Sequence, residues 1–209
     1  LETLQEVVRS ELSEKEQEQV DYYIRGRRDG STIRDMNQYI QNTDGKLTVD
    51  TQTTTACLFT NLLWDGSLSG SDVTFDSPLE WVRETINYVR RLDDFQLIIK
   101  PHPAEAHSET EIQIEDWVRA ELNTPKNVHI FGADTNISPY EMIKEVDFSI
   151  VFNSTVGLES AYDGVPVITT GDTHYKNLGF TYDPQTPDEY FNLLDQASDL
   201  ELTEEGHRC

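Results

Sequence analysis

FSIVFNSTVGLESAYDGVPVIT, residues 148–169, has two short apolar runs on either side of a segment that carries hydroxyl side chains and a glycine. The runs at 148–152 and 166–169 are predicted strands, and the segment at about 154–162 is a predicted short helix. Apolar runs of this length joined through a helix are typical of parallel strands, which are buried on both faces. The stretch therefore predicts one strand–helix–strand unit of a parallel sheet.

The same alternation continues on both sides of this unit. Three more apolar runs are predicted strands, at residues 56–60, 95–99 and 128–131. Further helices are predicted from Pro78, at 109–122, near 138–146 and at 187–197. The sequence thus predicts an α/β fold, a doubly wound parallel Rossmann-like sheet of about five or six strands with helices on both faces. In such sheets ligands bind outside the carboxyl ends of the strands, and polar motifs follow the predicted strands here.

The first 45 residues are predicted to form two helices separated at Gly30. Ser13 and Glu16 form a capping-box pattern at the start of the first helix. A polar, turn-rich linker follows the second helix. We therefore divide the chain into an N-terminal helical segment with its linker, residues 1–54, and an α/β lobe, residues 55–209.

The charge of the chain is strongly negative: 39 acidic residues against 16 basic ones give a net charge of −23. The acidic residues are spread along the chain, which favours a surface adapted to molar salt, where the Debye length is about 3 Å. An acidic tail for a basic partner is the alternative. Nucleic acid and anionic lipid are not expected as partners, because either would need a basic face.

The two cysteines, Cys57 and Cys209, do not indicate a disulfide framework. No run of 18 apolar residues predicts a transmembrane segment, and the start lacks a signal-peptide pattern. The chain opens without Met and stops on Cys209, which suggests an excised domain. We expect a location in the cytoplasm or at the inner face of the membrane.

A rigid histidine follows the second predicted strand, in the run from Lys100 through Pro101, His102 and Pro103 to Glu105. Two prolines around one histidine fix the backbone and remove two N–H donors. A histidine presented in this way at the end of a strand suits contact with a phosphate or a leaving group. The alternative is a structural turn in which the imidazole caps a neighbouring carbonyl.

Hydroxyl groups and a glycine follow the fourth strand, in the run from Asn153 through Ser154 and Thr155 to Gly157. The start of a helix with free N–H groups favours an anion, and a hydroxyl adds a hydrogen bond. Ordinary capping by Asn153 or Ser154 is the alternative. Glu159, one turn into the helix, suits the hydroxyls of a ribose or only compensates the helix dipole.

Two further loops bring candidate groups to the same edge. Asn61, Trp64 and Asp65 follow the first strand. Trp64 and Asp65 are candidates to contact a sugar or an acceptor, and the alternative is a Trp64 that covers the edge of the core. His174 and Lys176 follow the fifth strand. No pair of His and acidic residues has the spacing of a metal site, so we expect no metal.

Three motifs in order resemble a known family: Lys-Pro-His-Pro-x-Glu at 100–105, Asn-Ser-Thr-Val-Gly-Leu-Glu-Ser-Ala at 153–161, and Asp-Gly-Val-Pro-Val-Ile at 163–168. They are similar to the C-terminal lobe of capsule polysaccharide biosynthesis proteins. These are GT-B-type glycosyltransferases, related in pattern to bacterial sialyltransferases and Kdo transferases. The match covers roughly residues 55–195, and its Leu-Glu-(x)4-Gly-x-Pro-Val part is shared more widely among GT-B enzymes.

The resemblance implies roles for these residues. His102 would contact the phosphate of a nucleotide-activated sugar. Ser154 and Thr155 would hold the same phosphate, and Glu159 would face the ribose or the base. The other residues expected at the site are Lys100, Glu105, Asn61, Asp65, Asn153, Gly157 and His174. No cofactor or metal is expected, because the helix dipole and side-chain donors stabilise the departing phosphate in this type of enzyme.

The function that the resemblance implies is that of a donor-binding lobe, which takes part in moving a sugar from a nucleotide-activated donor to a surface polysaccharide or glycan. A complete GT-B enzyme also has an N-terminal lobe with the general base and the acceptor site. Residues 1–54 are too short and too helical for that lobe, so we expect this chain alone to be inactive and the missing lobe to be its partner. The helices of residues 1–54 instead resemble the connection between the two lobes. The alternatives are the lobe of a CDP-polyol-type phosphotransferase, a nucleotide-sugar 2-epimerase, and a non-catalytic domain that binds a nucleotide or a partner.

Overall fold

The computed structural model describes residues 12–29, 44–63, 74–106 and 110–203. Within these residues, five parallel strands form one sheet in the order β3-β2-β1-β4-β5. The strands are β1 Thr54–Phe59, β2 Phe95–Lys100, β3 Val128–Ile130, β4 Phe148–Val151 and β5 Val167–Thr169. The predicted parallel sheet is confirmed, and each strand lies within two residues of its predicted start.

The helices of the described residues are α1 Glu14–Arg28, α2 Pro78–Val89, α3 Ile114–Glu121, α4 Pro139–Glu145, α5 Thr155–Tyr162 and α6 Pro187–Asp195. Short 3-10 turns lie at Pro103–Ala106 and Ala197–Asp199. Three of the helices begin in the same way. A Ser or Thr hydroxyl accepts a backbone N–H of the first turn and a proline follows it, at Ser77, Ser138 and Thr186.

Helices cover both faces of the sheet, as the sequence predicts. One apolar cluster packs α2, α3 and α6 on the first face, around side chains such as Trp81, Ile114 and Tyr190. A second cluster packs α4 and α5 on the other face, around Met142 and Ala161. Because both faces are covered, β1, β2, β4 and β5 are buried along nearly their whole length, which explains their apolar sequences, while β3 at the edge of the sheet is more exposed.

The order of the strands reverses next to β1. The chain moves from β1 through β2 to β3 on one side and returns to β4 and β5 on the other side. β1 pairs with β2 along its whole length and with β4 from Ala56 to Phe59. The crevice between the carboxyl ends of β1 and β4 is therefore the switch point at which such sheets bind ligands.

The N-terminal segment lies against the lobe. α1 begins at the predicted capping box: the Ser13 hydroxyl accepts the Glu16 N–H, and the Glu16 carboxylate accepts the Ser13 N–H. Further along, Gly45 N–H donates to the Asn136 carbonyl, and Leu47 is buried in the second apolar cluster. The predicted second helix lies outside the described residues, and the division of the chain at residue 54 stays a prediction.

Candidate functional site

The polar motifs meet at the carboxyl edge of the sheet. Asn61 follows β1, His102 follows β2, the Asn153–Gly157 run follows β4, and His174 follows β5. Asp65 and Trp64 lie outside the described residues, as does Cys209. Parallel topology alone brings the remaining motifs to one edge, as the sequence analysis predicts.

A pair of asparagines bridges the switch point. Asn153 N–H donates to the Asn61 side-chain oxygen at 3.2 Å, and the Asn61 amide group donates to the Asn153 carbonyl. Asn61 is buried, and Thr60 beside it donates its N–H to the Lys100 carbonyl at 3.1 Å. These bonds join the ends of β1, β2 and β4. Asn61 therefore positions the loops around the crevice.

His102 is half-buried, and its ring orientation is set by the 3-10 turn that follows it. Its Nδ1 accepts the Ala104 N–H at 3.1 Å, and its carbonyl accepts the Glu105 N–H at 3.0 Å. Because Nδ1 is an acceptor, the neutral ring that fits this turn carries its proton on Nε2. The structural turn considered from the sequence is present, with the imidazole accepting a backbone N–H in it, while the contact with a phosphate or a leaving group stays a prediction.

Lys100 and Glu105 lie buried on either side of this turn. The Lys100 ammonium donates to the Pro101 carbonyl at 3.2 Å, and burial lowers its pKa to about 8. Glu105 Oε2 accepts the Ile114 N–H at 3.0 Å, so this carboxyl group caps the first turn of α3. Burial raises the pKa of Glu105 to about 7. The geometry thus gives Glu105 a structural partner, while its predicted contact with a ligand stays a prediction.

The start of α5 is held by backbone bonds and one buried tyrosine. The Ser154 hydroxyl accepts the Val156 N–H at 3.3 Å, so Ser154 is the N-cap of the helix. The buried Tyr175 hydroxyl donates to the Ser154 carbonyl. A Cβ at Gly157 would overlap that hydroxyl, which explains the glycine.

Glu159 and Thr155 share a partner that sequence reasoning missed. Arg27, near the end of α1, donates through Nε to Glu159 Oε1 and through Nη2 to Thr155 Oγ1, the latter at 2.8 Å. The Glu159 side chain is only 3% exposed. Arg27 lies 132 residues away in sequence, and nothing in the local pattern around it indicates this pairing.

His174 is exposed beside the same edge, and its ring packs edge-on against Tyr175. Lys176 is buried and donates to the Gly171 carbonyl at 3.3 Å, while burial lowers its pKa. Among the residues that the structure describes, no three His, Cys, Asp or Glu side chains cluster as a metal-ion site. No helix in the described ranges is long and apolar enough to span a bilayer.

A depression lies at the opposite, amino-terminal edge of the sheet. It is lined by the start of β1 and the residues that precede β4 and β5, with Ser198 and Glu201 from the end of the chain. Parallel sheets of this type place their ligands at the other edge. This depression is therefore the natural comparison site for any binding experiment.

The strand order, the reversal next to β1 and the convergent polar edge define a Rossmann-like α/β lobe. Residues 10–204 match the model of the family described as capsule polysaccharide biosynthesis protein. Because this match spans most of the chain, the chain belongs to that family. No curated protein matches the chain.

Solved structures share this fold at low sequence identity. KpsC from Thermosulfurimonas dismutans, described as a beta Kdo 2,4 transferase, has a TM-score of 0.57 and 16% identity, over 88% of this chain and 54% of that chain. Its beta Kdo 2,7 transferase structure has a TM-score of 0.50 and 17% identity, over 87% and 50%. S. aureus MnaA, solved with UDP, has a TM-score of 0.52 and 10% identity, over 83% and 41%. The chain thus spans about half the length of the KpsC structures.

Proposed function

We propose that this chain is the donor-binding lobe of a glycosyltransferase that moves a sugar from a nucleotide-activated donor to a surface polysaccharide or glycan. The observation that carries the proposal is the meeting of His102, the start of α5 and the Asn61–Asn153 bridge at the switch point of the sheet. Family membership supports it, and so do the transferase descriptions of the KpsC structures and the UDP in the MnaA structure.

The chemistry of this edge suits a phosphate group. In this proposal, His102 donates from Nε2 to the phosphate, and the amino end of α5 contributes backbone N–H groups and the positive end of the helix dipole. Such donors stabilise the negative charge that develops on a departing phosphate. The proposed reaction therefore needs no metal or other cofactor.

The proposed acceptor site and general base belong to a second lobe. This chain supplies the donor half, consistent with its coverage of about half of the KpsC structures. We place the activity in the cytoplasm or at the inner face of the membrane. A net charge of −23 opposes direct contact with anionic lipid, so any attachment to a membrane would come from another part of the enzyme.

Titration calorimetry with CMP, CDP, UDP and GDP in high KCl tests the proposal. We expect one of these nucleotides to bind and His102→Ala to weaken that binding about 10-fold or more, the effect of one lost hydrogen bond to a charged group. His129→Ala is the matched control, because His129 is exposed in β3 and away from the switch point. It should leave the affinity unchanged.

Two results would contradict the proposal. The first is a folded chain that binds none of the four nucleotides. The second is an equal loss of nucleotide affinity in His102→Ala and His129→Ala, which would mean that the nucleotide does not bind at the switch point.

A further inference from the structure

The carboxylate of Glu159 lies behind Arg27 and is not presented to a ligand. Its side chain is 3% exposed, and the side chain of Arg27, whose guanidinium covers it, is 12% exposed. Tyr140 packs beside the pair: burial, and after it the charge of Glu159, raises the pKa of the Tyr140 hydroxyl. A ribose could reach the carboxylate only if Arg27 moved aside, which would leave a buried charge without its partner.

Arg27 connects the buried carboxylate to the exposed start of α5. Its Nε binds Glu159 and its Nη2 binds the hydroxyl of Thr155, the first residue of the helix. A planar guanidinium with two of its nitrogens engaged in this way has a fixed orientation, and the Tyr23 side chain lies against it as well. The group is therefore a preorganised cation at the proposed site.

Further contacts between α1 and α5 fix the backbone of Arg27. Arg28 Nη2 binds Asp163 Oδ1 at 2.6 Å, and the Tyr162 hydroxyl donates to Asp21 Oδ1 at 2.6 Å. These contacts lie towards the far end of α5, away from Thr155. α1 is thus held along the length of α5, and Arg27 is the part of it that reaches the ligand end.

We propose that Arg27 is the residue of α1 that contacts the phosphate of the bound nucleotide, and that Glu159 is a positioning residue that acts through Arg27. This inference rests on the proposed donor site and changes the role that the family resemblance implies for Glu159. It also makes α1 part of the donor site instead of a connection outside it.

The charge of the molecule supports this assignment. A chain with 16 basic and 39 acidic residues offers few cations to a nucleotide phosphate, so a cation near the helix start has a large local effect. Glu159 alone would add to the repulsion. Paired with Arg27, it is neutralised, and it holds the guanidinium beside Thr155.

Calorimetry with a set of variants tests the proposal, using whichever of CMP, CDP, UDP or GDP binds and its 2′,3′-dideoxy form. We expect Arg27→Met to weaken binding about 10-fold or more. Glu159→Gln should weaken it less, and by the same factor for the ribo and dideoxy forms. In the Arg27→Met background, Glu159→Gln should cause no further loss, because the carboxylate acts only through the guanidinium.

Arg28→Met is the matched control, since it removes an ion pair from the same helix without touching Glu159 or Thr155. It should lower the melting temperature but change nucleotide affinity less than twofold at a temperature where all variants are folded. Equal loss in Arg27→Met and Arg28→Met would overturn the proposal, because helix docking alone would then explain the effect. If Glu159→Gln weakened binding of the ribo form and not of the dideoxy form, the proposal would also be overturned, because Glu159 would then contact the ribose directly.

Inorganic pyrophosphate separates this proposal from the proposed function. If no nucleotide binds but pyrophosphate does, and Arg27→Met weakens it, Arg27 is a phosphate contact and the nucleotide donor is wrong. If neither probe binds the folded chain, both proposals are wrong.

Discussion

At the scale of single residues, His102 shows how one side chain serves both the fold and the site. The turn after β2 uses Nδ1 as an acceptor for the Ala104 N–H, which leaves Nε2 to carry the proton of the neutral ring. A phosphate ligand would therefore meet the Nε2 side of the imidazole. The separate roles of Nδ1 in the turn and Nε2 towards the ligand can be tested by replacing each nitrogen separately.

The His102→Gln and His102→Asn variants make that comparison. The glutamine amide reaches the place of Nε2, and the asparagine amide reaches only the place of Nδ1. We expect His102→Gln to keep nucleotide affinity within a few-fold of the native chain and His102→Asn to lose about 10-fold or more. Calorimetric titration of both variants measures this, and better binding by His102→Asn would contradict the assigned tautomer.

Glu105 is expected to make the stability of the chain depend on pH. Burial raises its pKa in the folded chain to about 7 from an ordinary value of 4.5, so the folded state holds this proton more tightly than the unfolded chain. The stability that it contributes is complete below about pH 4.5 and is lost as the pH rises to about 7 and above. The loss is at most about 3 kcal/mol.

The variant Glu105→Gln should remove this part of the pH dependence, because its amide oxygen can still accept the Ile114 N–H without a charge. Urea unfolding at pH 5 and pH 8 measures the change against Glu111→Gln, which replaces an exposed carboxyl group on the neighbouring segment. If the free energy of unfolding changes by the same amount between pH 5 and pH 8 in Glu105→Gln and Glu111→Gln, Glu105 is not the titrating group.

The sequence predicted the motifs of the candidate site but not all of their contacts. The residues that follow each strand could be identified because a parallel topology brings strand ends to one edge. Arg27 could not, because its partners Glu159 and Thr155 are distant in sequence and no periodic pattern links them. For Ser154 the sequence left two roles open. The geometry confirms its role as an N-cap, and its contact with a phosphate stays a prediction.

At the scale of elements, the loops after β4 and β5 depend on each other. Tyr175, from the loop after β5, donates its hydroxyl to the carbonyl that begins α5 and fills the space above Gly157. Gly171 N–H donates to the Phe152 carbonyl at 2.9 Å and joins the same two loops. The start of α5 is therefore set from outside the helix as well as by its own cap.

The variant Gly157→Ala should destabilise the chain by about 1–3 kcal/mol, because its Cβ would overlap the Tyr175 hydroxyl. In a Tyr175→Phe background the same change should cost clearly less, since the hydroxyl is gone. Urea unfolding of the four chains of this cycle gives the coupling energy. If the losses in the free energy of unfolding are additive, another contact, such as that with Val151, excludes a side chain at residue 157.

Periodicity in the sequence was sufficient for the elements of the lobe but not for their exact ends. The helix predicted at 109–122 begins at Ile114, where the Glu105 carboxyl group caps its first turn from outside. The strand predicted from residue 56 begins at Thr54, because it pairs with β2 from Phe95 onwards. The position of α1 could not be predicted, since ion pairs hold it and such pairs leave no periodic signal.

At the scale of the whole molecule, the net charge of −23 predicts a response to salt. Repulsion among the acidic side chains opposes the compact state, and about 1 M KCl shortens the Debye length to about 3 Å. We expect the melting temperature to rise as KCl increases into the molar range. Thermal melts in low and high KCl measure this, and a melting temperature that stays constant or falls would argue against a salt-adapted surface.

A nucleotide bound at the carboxyl edge of the sheet would change the surroundings of the backbone amides there, which amide chemical-shift mapping detects. The ¹⁵N-labelled chain would be titrated in high KCl with CMP, CDP, UDP and GDP. We expect one nucleotide to shift the amide signals of Asn61, His102 and the Asn153–Gly157 run and to leave those of Thr54 and Ser198 unchanged. Shifts confined to the depression around Thr54 and Ser198, at the opposite edge, would contradict it.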